Sequence, residues 1–297
     1  MDRRRYLATG GGRVMAKKWN MIVDIERCDN CRNCFLATKD EHIGNEFPGY
    51  SAPQPDRGHS WVDIKRHERG AWPAVEAHFM PVMCNHCDDA PCMKAAKDGA
   101  ITKRSDGIVL IDPVKSKGKK EIVDACPYGA IYWNEEEQVP QAWFFDAHLL
   151  DGGWDKTRVE QACPTNVFRS LKVEDKEMQR IAEEEDLEIL KPELGSRPRV
   201  YYKNMHLMTT CFVAGSVVVD VDGVEECAAG AEVVLMRDGR ELARTQTDTF
   251  GDFRFDKLAG NSGGYRVEVN SESSGSASAA FELTEESLHI GVLALSA

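Results

Sequence analysis

The chain has 297 residues, 42% of them hydrophobic and 29% charged, enough for two domains with separate cores. Its 37 Lys and Arg against 49 Asp and Glu leave a formal charge of −12, a balance that repels phosphate backbones and anionic headgroups and argues against nucleic-acid or membrane-surface binding. No run approaches the roughly 18 apolar residues of a membrane span, and a P-loop, a dinucleotide glycine fingerprint and a serine or cysteine triad are missing from the sequence.

Arg3, Arg4, Arg5, Tyr6 and Leu7 match the opening of a twin-arginine export signal. Thr9-Gly10-Gly11-Gly12-Arg13 follows, however, where an apolar stretch of roughly 7–15 residues belongs, so the match reads as chance. Residues 1–20 are expected to form a flexible extension, with Met15 or Met21 equally able to be the start, and Met21 to Ile25 is the first strand-like segment. A cytoplasmic location is expected, the alternative being export together with a signal-bearing partner. Thiols there stay reduced, and clustered cysteines more often hold metal than form disulfides.

Eight cysteines fall between Cys28 and Cys163, and only Cys211 and Cys227 come later. Between these groups Glu174 to Leu190 is charge-dense, with Met178, Ile181 and Leu187 spaced as a thin apolar stripe, and predicts a solvated helix. The prolines and glycine of Lys191-Pro192-Glu193-Leu194-Gly195-Ser196-Arg197-Pro198 stop it, and Arg199 to Tyr202 reads as an extended segment crossing to a second domain, which makes 174–209 a helix and linker. From 210 to 297 the period becomes two. Strands are predicted at 217–221, 232–236, 241–247, 252–255, 265–269, 277–283 and 290–295, with turns at Asp222-Gly223, Asp238-Gly239 and Gly263-Gly264. Short strands at that density predict an all-β sandwich. This region holds 6 Lys and Arg against 15 Asp and Glu; solvated faces that keep a small β domain soluble account for that without a docking face for a basic partner.

The cysteine spacing carries the chemistry. Cys28-x2-Cys31-x2-Cys34 is the start of the bacterial ferredoxin run C-x2-C-x2-C-x3-C-P, whose fourth place here is Thr38. Cys84-x2-Cys87-x4-Cys92 has the same character, and its fourth place is Ala96. Cys126-Pro127 and Cys163-Pro164 are two further Cys-Pro pairs, and in two-cluster ferredoxins the cysteine before proline ligates the other cluster. Counting back from Cys126 reaches Ile122, Lys119 and Ser116, and before Cys163 the ligand positions are Val159, Asp146 and Trp143, so each of these motifs keeps only its donated cysteine. The competing reading is two structural four-cysteine zinc sites in an adaptor without redox function, which would suit thiolates but normally uses paired C-x2-C knuckles.

With these motifs the chain resembles the four-motif iron–sulfur subunits of the dimethyl sulfoxide reductase superfamily of molybdoenzymes. Within it, the chain is most similar to the small subunits of pyrogallol/phloroglucinol transhydroxylases and to the partner subunits of catechol dehydroxylases. Gly107-Ile108-Val109-Leu110-Ile111-Asp112-Pro113, Cys126-Pro127-Tyr128-Gly129, Tyr132-Trp133-Asn134-Glu135-Glu136-Glu137, Ala147-His148-Leu149-Leu150-Asp151, Lys191-Pro192-Glu193-Leu194 and Pro198-Arg199-Val200-Tyr201-Tyr202-Lys203-Asn204 carry the likeness. The resemblance implies an α+β fold: a tandem, pseudo-twofold ferredoxin-like [4Fe-4S] module over 21–173, then a sandwich over 210–297 of the Cna-B or carboxypeptidase-regulatory type. It implies pairing of the first motif with the fourth and the second with the third. One cluster would then take Cys28, Cys31, Cys34 and Cys163, and another Cys84, Cys87, Cys92 and Cys126. Thr38, Trp143, Asp146 and Val159 would mark one erased cluster, which the transhydroxylase small subunits retain, and Ala96, Ser116, Lys119 and Ile122 a second.

The chain would be a non-catalytic electron-transfer subunit with no substrate site of its own. Its partner by resemblance is a large catalytic subunit with molybdenum and two molybdopterin guanine dinucleotides, acting on a phenol such as pyrogallol or a catechol. A redox-neutral hydroxyl transfer, in which the clusters only poise the molybdenum or brace the interface, is the alternative. Among other residues, His86 reads as an ordinary loop histidine in preference to a hydrogen-bond donor to cluster sulfur, and Asp146 lacks companions for binding iron. Cys211 and Cys227 read as independent packed thiols, and the Trp133 and Trp143 region as packing around a vanished cluster.

Overall fold

The computed structural model describes residues 16–271 and 274–296. The twin-arginine match, the Met15 start and most of the expected N-terminal extension lie outside the described residues. In chain order the elements are β1 (Lys18–Asp24), α1 (Asn33–His42), β2 (Asp63–Ala71), β3 (Ala74–Val82), α2 (Pro91–Ala95), β4 (Ile101–Lys103), β5 (Val109–Ile111), α3 (Glu121–Asp124), β6 (Tyr132–Asn134), β7 (Val139–Gln141), α4 (Ala147–Asp151), α5 (Arg158–Ala162), β8 (Phe168–Val173), α6 (Asp175–Glu184), β9 (Val200–Lys203) and α7 (His206–Thr209). The remaining strands are β10 (Cys211–Val221), β11 (Val224–Cys227), β12 (Glu232–Arg237), β13 (Arg240–Gln246), β14 (Asp252–Leu258), β15 (Gly263–Ser271), β16 (Gly275–Leu283) and β17 (Leu288–Ala294). Two compact units result: one comprises the described residues through Asp24, 31–63 and 81–203, the other 25–30, 64–80 and 204 onward.

The first unit is organised by a three-stranded sheet in the order β8-β1-β9. Central β1 buries every residue from Trp19 to Val23, as expected of a strand covered on both faces, with Asn20 the one polar residue of the run. It pairs antiparallel with β8, Lys18 opposite Val173, and parallel with β9, Met21 opposite Val200. The segment from Arg199 to Tyr202, expected as a crossing linker, is therefore part of this sheet, because Val200 and Tyr202 alternate into its core with 0% exposure. The helix expected over 174–190 ends at Glu184: Asp186 adopts φ 52° and Leu187 N–H returns to the Ala182 carbonyl, a left-handed C-terminal stop that sequence periodicity does not announce.

The second unit is a two-sheet sandwich. One sheet runs β11-β10-β14 with β17 also on β10, and the other runs β13-β12-β15-β16. Val213, Val217, Phe253 and Phe255 of the first meet Val233, Leu235, Tyr265 and Val267 of the second in a common core, the alternate residues of each strand facing inward. All seven expected strands are present, with β11 added as an exposed edge strand. Asp222-Gly223 and Asp238-Gly239 each have positive φ at both positions, as a two-residue hairpin turn of the right twist requires. Gly263 and Gly264 instead begin β15. The hairpin residues 64–80 also belong to this unit: Arg69, with a side chain 2% exposed, is gripped by both carboxylate oxygens of Asp256 at 2.9 and 3.0 Å and by Glu76 at 3.1 Å.

Candidate iron–sulfur centres

Cys84 follows β3, Cys87 is buried, Cys92 lies in α2, and Cys126 follows α3. α2 packs against α3, which brings the second and third motifs together. Burial raises the Cys84 thiol well above its usual range, and the charges of Cys92, Cys126 and Cys87 raise it further. For the same reasons, burial first and then Cys126 and Cys87, the Cys92 thiol is pushed up to about 12. Cys84, Cys87 and Cys92, whose ionisation burial opposes, form with neighbouring Cys126 a donor set suited to a cationic centre, since bound iron supplies the positive charge that stabilises buried thiolates. The cavity beside Cys84 and Cys92 is walled by Val109, Ile111, Ile131, Ala142 and Phe144, an apolar surround of the kind that sets cluster potentials. The residues present fit a [4Fe-4S] cluster.

The peptide between Cys84 and Cys87 is fastened by groups the cysteine spacing does not reveal. Lys103 Nζ donates to the carbonyls of His86 at 2.8 Å, Cys87 at 3.1 Å and Gly107 at 2.8 Å, and pairs with Asp88 at 3.1 Å. Arg199 holds Asp88 through Nε at 2.7 Å and also reaches Asp175 at 2.8 Å and Asn20 at 3.1 Å. Burial opposes ionisation of Asp88, yet the Arg199 hydrogen bonds and the Lys103 and Arg199 charges keep its carboxyl well below the usual range. Ion pairs of Lys103 and Arg199 with Asp88 therefore fasten the loop. Arg199 stood in a stretch matched to the family, whereas Lys103 carried no signal beyond a cation at the end of a short strand.

His86 departs from the ordinary loop histidine expected. It is 1% exposed, sits at φ 46°, and accepts Val109 N–H on Nδ1 at 3.0 Å. Burial holds its pKa far below the usual value. Its ring stands edge-on to Trp143 and Phe145, with centroids 5.6 and 5.4 Å away.

In the first and fourth motifs, Cys28 N–H bonds the Ile25 carbonyl at 3.1 Å, Cys31 is exposed, Cys34 is buried in the first turn of α1, and Cys163 caps the end of α5. α1 and α5 are packed together. Cys163 Sγ accepts Val167 N–H at 3.4 Å, an amide placed as those that stabilise cluster thiolates are. Cys211 is a buried free thiol as expected, but Cys227 is exposed on edge strand β11 and is not a packed one.

The non-cysteine residues at the remaining motif positions are packed into the protein. Thr38, Trp143, Asp146 and Val159 are all buried; Trp143 Nε1–H donates to Asp146 at 3.0 Å, Arg158 N–H donates to the other Asp146 oxygen at 2.7 Å, and Thr38 Oγ1 donates to the Cys34 carbonyl at 2.8 Å. Burial raises the Asp146 carboxyl pKa, against the pull of those hydrogen bonds. In the other set Ile122 is a core residue with Ala96 packed against that core, Ser116 is buried, and Lys119 reaches the Lys97 carbonyl at 3.4 Å.

The family described as a 4Fe-4S dicluster domain matches residues 75–173. The pyrogallol hydroxytransferase small subunit of Pelobacter acidigallici is 45% identical over 259 residues, spanning 86% of this chain and 92% of that protein. The chain belongs to this family of molybdoenzyme iron–sulfur subunits. The arsenate respiratory reductase iron-sulfur subunit of Shewanella sp. (strain ANA-3) is 32% identical over 45% of this chain and 52% of that one. A tetrathionate reductase subunit of Salmonella typhimurium is 28% identical over 62% of this chain and 72% of that one. As an iron–sulfur subunit the protein carries 4Fe-4S clusters and transfers electrons, and no helix among its described residues is long and apolar enough to cross a membrane.

Proposed function

We propose that this iron–sulfur subunit holds two [4Fe-4S] clusters, one on Cys28, Cys31, Cys34 and Cys163 and one on Cys84, Cys87, Cys92 and Cys126, in a tandem pseudo-twofold ferredoxin module. It serves a large molybdopterin-containing subunit that acts on a phenol such as pyrogallol or a catechol. The observation that carries the ligand sets is the mutual crowding of the second group of thiols, together with the packing of the helices that bear Cys34 and Cys163. The likeness to the Pelobacter hydroxytransferase small subunit supports the substrate class and the partner.

Each cluster, when bound, takes up and releases one electron. The protein's own work is to hold the ligands: Lys103 closes the Cys84–Cys87 peptide, α5 delivers Cys163 toward α1, and Trp143 with Asp146 fills the volume of a lost cluster. No residue of this chain touches substrate; the active site belongs to the partner. The C-terminal sandwich is of the Cna-B or carboxypeptidase-regulatory type, and the complex is cytoplasmic.

Purified full-length protein is expected to be brown with about eight iron atoms, four for each cluster; colourless protein with about two zinc atoms overturns the reading. The hydroxyl transfer for which the Pelobacter relative is named favours a second reading in which the complex is redox-neutral. Assay of the co-purified complex with a catechol and a low-potential donor separates the two: donor oxidation matched to dehydroxylation supports net reduction, and turnover without it supports transfer.

A further inference from the structure

Ser196 sits in the stretch that sequence reasoning treats as a helix stop, but the structure lays that stretch along the cysteine loop. Asp89 N–H donates to the Ser196 carbonyl at 3.0 Å, Asp88 N–H to Arg197 at 2.9 Å, and Arg199 N–H to Asn85 at 2.8 Å. Ser196 is 2% exposed. Its hydroxyl lies 2.6 Å from that of Tyr128, two residues beyond Cys126, and the two hydroxyls neighbour the Cys87 thiol closely enough that each is coupled to its ionisation.

Each hydroxyl brings one proton and can accept on its oxygen. If Tyr128 donates to Ser196, the Ser196 proton is directed to the Cys87 sulfur; if Ser196 donates to Tyr128, the phenol proton takes its place. Either way one O–H meets the sulfur, in a buried spot where water does not compete.

We propose that the Tyr128–Ser196 hydroxyl pair tunes the potential of the cluster bound through Cys87, raising it. This rests on the assignment of Cys87 as a ligand. One-electron reduction adds negative charge to the cluster and its thiolates while no bond to the protein is made or broken. A hydrogen bond to the more negative acceptor is the stronger one, so the hydroxyl favours the reduced form, and hydrogen bonds to cluster sulfurs are among the factors that set their potentials. Ser196 and Tyr128 are positioning residues and touch no substrate.

The test is a redox titration of the full-length protein followed by electron paramagnetic resonance. In the Ser196→Ala/Tyr128→Phe double variant one midpoint moves to lower potential and the other stays in place. Ser196→Thr, which keeps the hydroxyl, stays close to wild type. A double variant with full iron and both midpoints unchanged overturns the proposal. Wild-type protein exchanged into D2O supplies a check independent of any variant: a strongly coupled hydroxyl deuteron at the reduced cluster supports the pair, and its absence overturns it. Failure of the ligand assignment itself shows differently, as wild-type protein without the second cluster's iron.

Discussion

Trp143 and Asp146, three residues apart, are hydrogen-bonded to each other at 3.0 Å with both side chains buried. The indole N–H and the Arg158 N–H use both carboxylate oxygens, so the acidic residue at this motif position is a packed polar knot. Asp146→Ala would leave two buried donors without an acceptor, each at a cost of about 1–3 kcal/mol. Removing a carboxyl that burial already disfavours returns part of that. A net loss of about 2–4 kcal/mol in urea unfolding is expected, with iron content unchanged in the folded protein; a loss of iron would show that Asp146 supports a cluster.

Ligand swapping between motifs predicts which cysteines fall together. Cys126→Ala and Cys163→Ala are each expected to remove about four iron atoms of eight, the share of one cluster, while Cys211→Ala and Cys227→Ala remove none. Electron paramagnetic resonance of the two depleted variants should show different surviving signals. The same signal lost in both would place Cys126 and Cys163 on one cluster and sink the pairing.

Lys103 holds three carbonyls around the Cys84–Cys87 peptide. Hydrogen bonds from a charged donor are worth about 1.5–3 kcal/mol each, and Lys103→Met removes them together with one of the cations paired with Asp88. The second cluster should become labile, with about half the iron lost to a chelator that leaves wild-type protein intact. Equal iron retention in both proteins would show that Arg199 and the backbone suffice.

Much of the sandwich was legible because strand alternation and turns depend on local spacing. Alternation marked strands such as β12 and β15, where Val233, Leu235, Val267 and Val269 all face the core, and the Asp-Gly pairs marked their turns. β9 was legible as an extended segment but not as part of a sheet: Val200 and Tyr202 show only one repeat of alternation, and the prolines before them read as a linker. The hairpin of 64–80 was hidden by chemistry, since its inward residue Arg69 is charged and its burial makes sense only with Asp256, 187 positions away. Ser196 and Lys103 escaped notice for the same reason, as each acts on a loop brought to it by folding.

Glu76 gives the second unit an acid-sensitive point. The Arg254 hydrogen bond is the chief reason its carboxyl is lowered to about 2, with His78 and Arg69 adding to it against the opposing effect of burial. A carboxylate whose pKa is lower folded than unfolded contributes stability that is present above the unfolded value, near 4.5 here, and is lost as pH falls toward about 2. Urea midpoints followed by the β-sheet circular dichroism signal should therefore be level from about pH 7 to about pH 5 and fall below that. In Glu76→Gln the neutral-pH midpoint is lower and the acid-side fall is shallower, because the group that took up the proton is absent. An unchanged acid slope would assign that fall to Asp256, whose carboxyl is likewise held low, against the effect of burial, by Arg69 and Arg254.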